Sequence, residues 1–234
     1  MRQRECPFPG FTIGQTGEAL QNLFEVTKDV RIDSNTHVKK IALESDVIKL
    51  NLQEMIRDAN VTNREYMSDG TVEVTMLMSL HGGFAQLVLP ADIKQIVTIK
   101  TIASNHDAPI VSSAGYYIIK SHSYTGLIVD ARGINAKPAM AVAIFDENHN
   151  EVYGSAFASR EFAVQKCMSG YAKNMEYARK DPRVTGNPLT VKGIGTKGPG
   201  QSNIVISNAD ASKIHSVSEH LAFLKECRVV IIIN

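Results

Sequence analysis

The sequence predicts an α+β protein made of two small α/β domains, each with an antiparallel or mixed sheet packed by amphipathic helices. Three observations carry that expectation. Thr71–Leu80, TVEVTMLMSL, places Val72, Val74, Met76, Met78 and Leu80 on one face of a strand, with only Leu77 breaking the other. Stretches before it space their apolar residues at helical intervals. The strongly apolar run Val229–Ile233 has the composition of a strand buried on both faces.

A chain of 234 residues has room for two units of about 100 residues, each able to bury a workable core. The expected division is an irregular arm at 1–12, an N-terminal domain at 13–100, a connector at 101–120 and a C-terminal domain at 121–234.

Pro7, Pro9 and Gly10 make the arm irregular. A helix begins near Gln15, with Ala19, Leu20, Leu23, Phe24 and Val30 at helical spacing and Glu18, Gln21, Glu25 and Lys28 largely elsewhere on the wheel. Val30–Val38, VRIDSNTHV, mixes β-branched and polar residues and is expected to form a short strand. Ser45-Asp46 can cap Val47–Ile56, whose Val47, Ile48, Leu52, Met55 and Ile56 fit one helical face. Its first half, VIKLNL, also alternates in part, so a strand is the alternative there. Asp69-Gly70 is the expected hairpin turn into the long strand, because glycine accepts positive φ. Gly82-Gly83 ends that strand, and Phe84–Leu89 makes a helical turn stopped by Pro90. Residues 91–123 read as a connection with strand character at either end.

The second domain is organised around Tyr124–Gly154. A strand at Leu127–Val129 breaks at Gly133 and Pro138, resumes as Ala139–Phe145, and turns through Asp146–Asn150 into Glu151–Tyr153. Ser159–Lys180 is expected to be helical, bent or divided at Ser169-Gly170 and ended by Asp181-Pro182. Leu189–Val191 and Asn203–Ile206 should be strands flanking a glycine-rich turn. Ala209–Leu224 should be a helix capped by Asn208 or Asp210, and Arg228–Ile232 a central strand.

Composition removes several function classes. Lys plus Arg total 25 against 24 acidic residues, so no broad attraction to nucleic acid is expected. Without Trp, and with 6% aromatic residues, a base-stacking platform is not expected. No run of 18 apolar residues occurs, so a membrane contact would need a lipid anchor that is not visible in this sequence. The start, MRQRECPFPG, lacks the apolar core of a secretory signal, leaving a cytoplasmic chain or a mature form as the two readings.

No motif assembles a reaction centre or a cofactor site. Gly193–Gly198 satisfies GxGxxG, but Pro199-Gly200 and another strand follow where a dinucleotide site needs a helix, so it reads as a hairpin loop. His215 and His220 stand five apart, off one helical face, and do not form a zinc pair. Ser155, Ser159 and Ser169 lie near glycines without a GxSxG context. Cys167 has no base nearby in the sequence. Cys167 and Cys227 could pair as a disulfide in an oxidising compartment or remain two buried thiols. Asp130 and Arg132 point to the same side of an extended chain, which suits a salt bridge anchoring the reversal at Gly133, or a contact to a polar ligand in an enzyme's cleft. The salt bridge is favoured, because no second acid or histidine is placed to work with the pair.

YTGLIVDARG, PAMAVAIFDENHNEVYG, MSGYAKNMEYARKDPRVTGNPL, SNADASKIH and FLKECRVVIII resemble the bacterial lipoprotein-twenty (Lpp-twenty) family. VRIDSNTHV, the segment after Ser45-Asp46, and REYMSDGTVEVTMLMSL resemble that family's N-terminal unit, so the similarity spans 13–234. The family includes the protein of the flagellar basal disk or outer ring. The resemblance implies a non-enzymatic structural protein of the periplasm or outer membrane that self-assembles into a ring, disk or related envelope structure, as a homo-oligomer with flagellar or envelope partners. An adaptor contacting peptidoglycan or an outer-membrane protein is the alternative. Near-neutral charge suits self-association, and a ring requires two different, complementary surfaces on each subunit.

Overall fold

The computed structural model describes residues 12–13, 16–70, 72–94, 124–216 and 218–234. The expected connector, and the arm up to residue 11, lie outside them.

The fold is α+β, with a small antiparallel sheet and a larger mixed sheet. The N-terminal part runs β1 (Thr12–Ile13), α1 (Thr16–Lys28), α2 (Val38–Glu44), α3 (Asp46–Arg57), β2 (Asn60–Tyr66), β3 (Val72–Leu77) and α4 (Gly83–Val88). The remainder runs β4 (Leu127–Asp130), β5 (Ile144–Phe145), β6 (Glu151–Tyr153), α5 (Arg160–Lys166), β7 (Gly170–Ala172), α6 (Met175–Lys180), β8 (Leu189–Lys197), β9 (Asn203–Ile206), α7 (Asn208–His215), α8 (Ser218–Lys225) and β10 (Val229–Ile232).

The seven-stranded sheet has the order β6-β5-β9-β8-β4-β10-β7. Its heart is parallel: β4 pairs with β8 and with β10, and β10 with β7. Alternation sorts the side chains of these strands onto two covered faces. Leu127, Val129, Val229 and Ile231 join Phe84, Ala85 and Val88 of α4, Leu52 of α3 and Leu224 of α8 in one buried cluster. Ile128, Val230 and Ile232 form a second cluster with Ala178 of α6 and Val184. The N-terminal helices therefore share a core with one face of the large sheet.

The helices start where side chains replace missing backbone partners. Ser45 Oγ accepts from Ile48 N at the start of α3, so the ambiguous VIKLNL is helical. Ser207, rather than the expected Asn208 or Asp210, caps α7, its Oγ accepting from Asp210 N at 3.1 Å. Asn208 is used differently: its N–H donates to Glu147 Oε2 and its side-chain oxygen accepts from Glu147 N, tying α7 to the turn after β5.

Several expectations change. The expected strand Val30–Val38 is instead a loop over residues 30–37 with one bridge, Arg31 to His37, and Val38 opens α2. Asp33 Oδ1 accepts from Asn35 N, and the Arg31 and Ile32 carbonyls accept from Met140 and Ala141, so the backbone is satisfied by another segment. Those same bonds leave only Ile144–Phe145 of Ala139–Phe145 as strand. The helix expected across 159–180 is α5, β7 and α6, because Cys167 takes a left-handed φ of 59° and Gly170–Ala172 pairs with Val230–Ile232. Asn174 then restarts the helix, accepting from Tyr177 N. The helix expected at 209–224 is divided into α7 and α8, and α2 was not foreseen.

The glycine-rich segment expected as a hairpin loop is mostly strand: β8 continues through Gly193 and Gly195 to Lys197, paired with β9, and the turn begins only at Gly198. Gly193 sits inside β8 because a Cβ there would lie 2.9 Å from Ile134 Cδ1, while Gly198 makes the turn with φ +85°.

Candidate interaction surface

The small sheet has the order β1-β3-β2, so the seven-residue β2 is a free edge. Its sequence, NVTNREY, offers one β-branched aliphatic residue and no continuous apolar face. All seven residues are exposed, and β3 buries only Val74. β2 is therefore solvated along its whole length, whereas β3 is half-buried on either side of Val74 and exposed only at Leu77. The β2–β3 ribbon carries apolar side chains outward: Val61, Leu77, Met67 and, 78% exposed, Tyr66 near the turn. Thr62 marks a register shift, and its hydroxyl donates to Thr75 O.

A second apolar surface lies at the α2–α3 corner. Leu43 is 79% exposed, and Val47 and Leu50, one helical turn apart, are exposed beside it in sequence. The face of α3 that packs inward carries Leu52 and Ile56, so Val47 and Leu50 form a separate outward stripe. Leu43 also lines a groove of about 420 Å³ with Asp29, His37, Lys39, Lys40 and Glu44. A smaller cavity of about 190 Å³ lies between the N-terminal loops and the large sheet, lined by Asp33, Asp92, Glu151 and Asn203 among others.

Asp130 and Arg132 come together at the C-terminal end of β4. Arg132 Nε donates to Asp130 Oδ1 at 2.8 Å and its terminal nitrogen to Oδ2 at 2.6 Å, while Arg132 N–H adds a third bond. These bonds hold the Asp130 carboxyl below its ordinary range. Ala131 N donates to Ile232 O, fixing the turn to β10. The pair is a closed bidentate bridge, and neither groove is lined by it.

Cys167 and Cys227 are both buried and are not joined as a disulfide. Cys167 Sγ lies 3.7 Å from His81 Nδ1, a neighbour 86 positions away that sequence inspection did not find. Burial pushes the Cys227 thiol up, and burial pushes the adjacent Tyr153 hydroxyl far up while that hydroxyl donates to Met168 O at 2.5 Å. The backbones of both cysteines converge on Arg183, whose guanidinium donates to the carbonyls of Lys166, Cys167 and Cys227. No sequence motif flags Arg183, because its partners are backbone oxygens. His215 Nε2 lies 3.1 Å from Val152 O, a packing role.

The fold and this geometry define an α+β protein whose most exposed built feature is a ribbon and a helix corner. Residues 126–234 match the family model described as Treponema pallidum Tp0624, second domain. That match covers the large sheet from just before β4, and leaves the ribbon and the α2–α3 corner outside it. No curated protein matches the chain.

No helix among the described residues is long and apolar enough to cross a membrane.

Proposed function

We propose that this chain is a non-enzymatic structural protein that self-assembles into a ring, disk or related multi-subunit structure of the cell envelope, in the periplasm or at the outer membrane and associated with a flagellum. The carrying observation is β2: a seven-residue edge strand exposed at every position, on a ribbon that presents Tyr66 and Met67 to solvent. An edge strand solvated along its whole length and carrying apolar side chains gains stability when another surface covers it. Free edges also pair readily with other chains. The resemblance of the quoted segments to the lipoprotein-twenty family supports the envelope and flagellar part, whereas the description of the matched family model names neither.

Light scattering and electron microscopy of the purified chain test the reading. Concentration-dependent growth beyond a monomer is expected, with ring- or disk-like particles. A strict monomer at high concentration, with no larger species in cell envelopes, would overturn it. Retention of that monomer by isolated sacculi would instead favour the peptidoglycan-contacting adaptor.

A further inference from the structure

From the packing around the two buried cysteines, we infer that Cys167 and Cys227 are a dithiol that closes into a disulfide in an oxidising setting, locking the start of β7 to the start of β10. The pair works in the same way in a single chain and in an assembly.

Strand pairing brings the two residues level. In the parallel β7–β10 pair, Gly170 stands opposite Val230 and Tyr171 opposite Ile231. Cys167 and Cys227 each lie three residues before that first pair, so one register aligns them although they are 60 positions apart. Two bridges then hold them together. On the backbone side, one Arg183 nitrogen donates to both carbonyls, at 3.2 Å to Cys167 and 3.4 Å to Cys227. On the side-chain side, the Cys227 thiol is hydrogen-bonded to the Tyr153 hydroxyl, which donates in turn to the carbonyl of Met168, the residue after Cys167. Both cysteines belong to the same buried cluster.

The backbone at the two positions favours a different residue. Cys167 and Cys227 take φ of 59° and 55°, the left-handed region that suits glycine. Glycine would meet that requirement without strain, so what cysteine adds at both places is its sulfur.

The chemistry is thiol–disulfide exchange with a small external disulfide. Cys167 begins it, being 4% exposed against 0% for Cys227. Its Sγ lies 3.7 Å from Nδ1 of the half-buried His81, a ring nitrogen placed to take the thiol proton. The Cys167 thiolate attacks one sulfur of the external disulfide, whose S–S bond breaks and whose other sulfur leaves as a thiolate. Cys227 then gives up its proton, and its sulfur attacks Cys167 Sγ and expels the second external thiolate. Two protein thiols are oxidised to one disulfide, one external disulfide is reduced to two thiols, and the two protons leave on them. Because β7 is the edge of the large sheet, the bond fastens that edge to its only strand neighbour.

The test uses the full chain with Cys6→Ser, which leaves Cys167 and Cys227 as its only cysteines. The reduced protein is exposed to oxidised glutathione in its folded state and, in a second arm, is refolded in the same oxidant so that burial does not limit access. A Cys167–Cys227 cross-linked peptide is expected in a digest made without reductant, with the whole chain lighter by two hydrogen atoms. The melting temperature should rise by at least about 5 °C and return on adding dithiothreitol. With Cys227→Ser added, the reaction should stop at one glutathione on Cys167. With Cys167→Ser added, Cys227 in the folded chain should take up glutathione at least about tenfold more slowly than Cys167 does. Thiols that stay unpaired in both arms, or a cross-link that leaves the melting temperature unchanged or lowers it, would overturn the lock.

Discussion

The two sheets of this protein use β-structure in opposite ways. In the large sheet, β4 and β10 are buried on both faces and hydrogen-bonded on both edges, and Val229–Ile232 are buried at every position. In the small sheet, β2 is exposed at every position and bonded on one edge. The difference is one of neighbours rather than strand chemistry. Val61 and Val230 have the same side chain, yet one meets water and the other meets Ala178 and Val184. Burial in the large sheet stabilises the fold, whereas the ribbon leaves apolar side chains in contact with water.

Substitutions should separate the two sheets by the size of their effect. Leu127→Ala removes a side chain with 0% exposure and should lower unfolding stability by about 2–5 kcal/mol, measured by chemical denaturation. A loss below 1 kcal/mol there would break the contrast. Arg183→Met should come next, near 3 kcal/mol, because it leaves three backbone carbonyls without their charged donor while filling much of the same volume. On the ribbon, Val61→Thr or Tyr66→Ser should stay within about 0.5 kcal/mol in the monomer. A larger loss would mean that the ribbon is packed rather than presented.

Titration sharpens the same contrast. Burial raises Cys227 and Tyr153 above their ordinary values of 9.0 and 10.0, so the folded state holds their protons where the unfolded chain releases them. Their contribution is present below pH 9 and declines as pH rises from there through the folded values. Stability should therefore fall as pH rises above 9, and Cys227→Ala should flatten part of that slope. At the acid end the effect is smaller. Arg132 depresses Asp130 below 3.8, so this bridge contributes above that pH and is lost as pH falls through the folded value. Arg132→Gln should make the acid limb slightly shallower, and an unchanged limb would assign the bridge no role in stability.

Local chemistry was legible in the sequence, and long-range partnership was not. Ser45 as a cap, the turn at Gly70, the stop at Pro90 and the i, i+2 geometry of Asp130 and Arg132 all follow from neighbours in the chain. The strand β7 did not, because MSGYAK fits a helical pattern and its partner Val230 lies 60 positions from Gly170. The alternation of β3 is real, but only Val74 is buried, since alternation shows which residues share a face and not whether anything covers it. Arg183 and the His81–Cys167 contact depend on segments far apart in sequence, and their residue types carry no signal of it.

The register of the two sheets also has a consequence in time. Tyr66 pairs with Val72, six positions on, whereas Leu127 pairs with Val229, 102 positions on. Local pairings close quickly and distant ones slowly, so the ribbon can form before the parallel heart that completes the fold. A chain built this way displays its exposed edge while its core is still incomplete. Its yield of soluble protein on refolding should therefore fall as concentration rises, an effect set by folding order rather than by the stability of the finished protein.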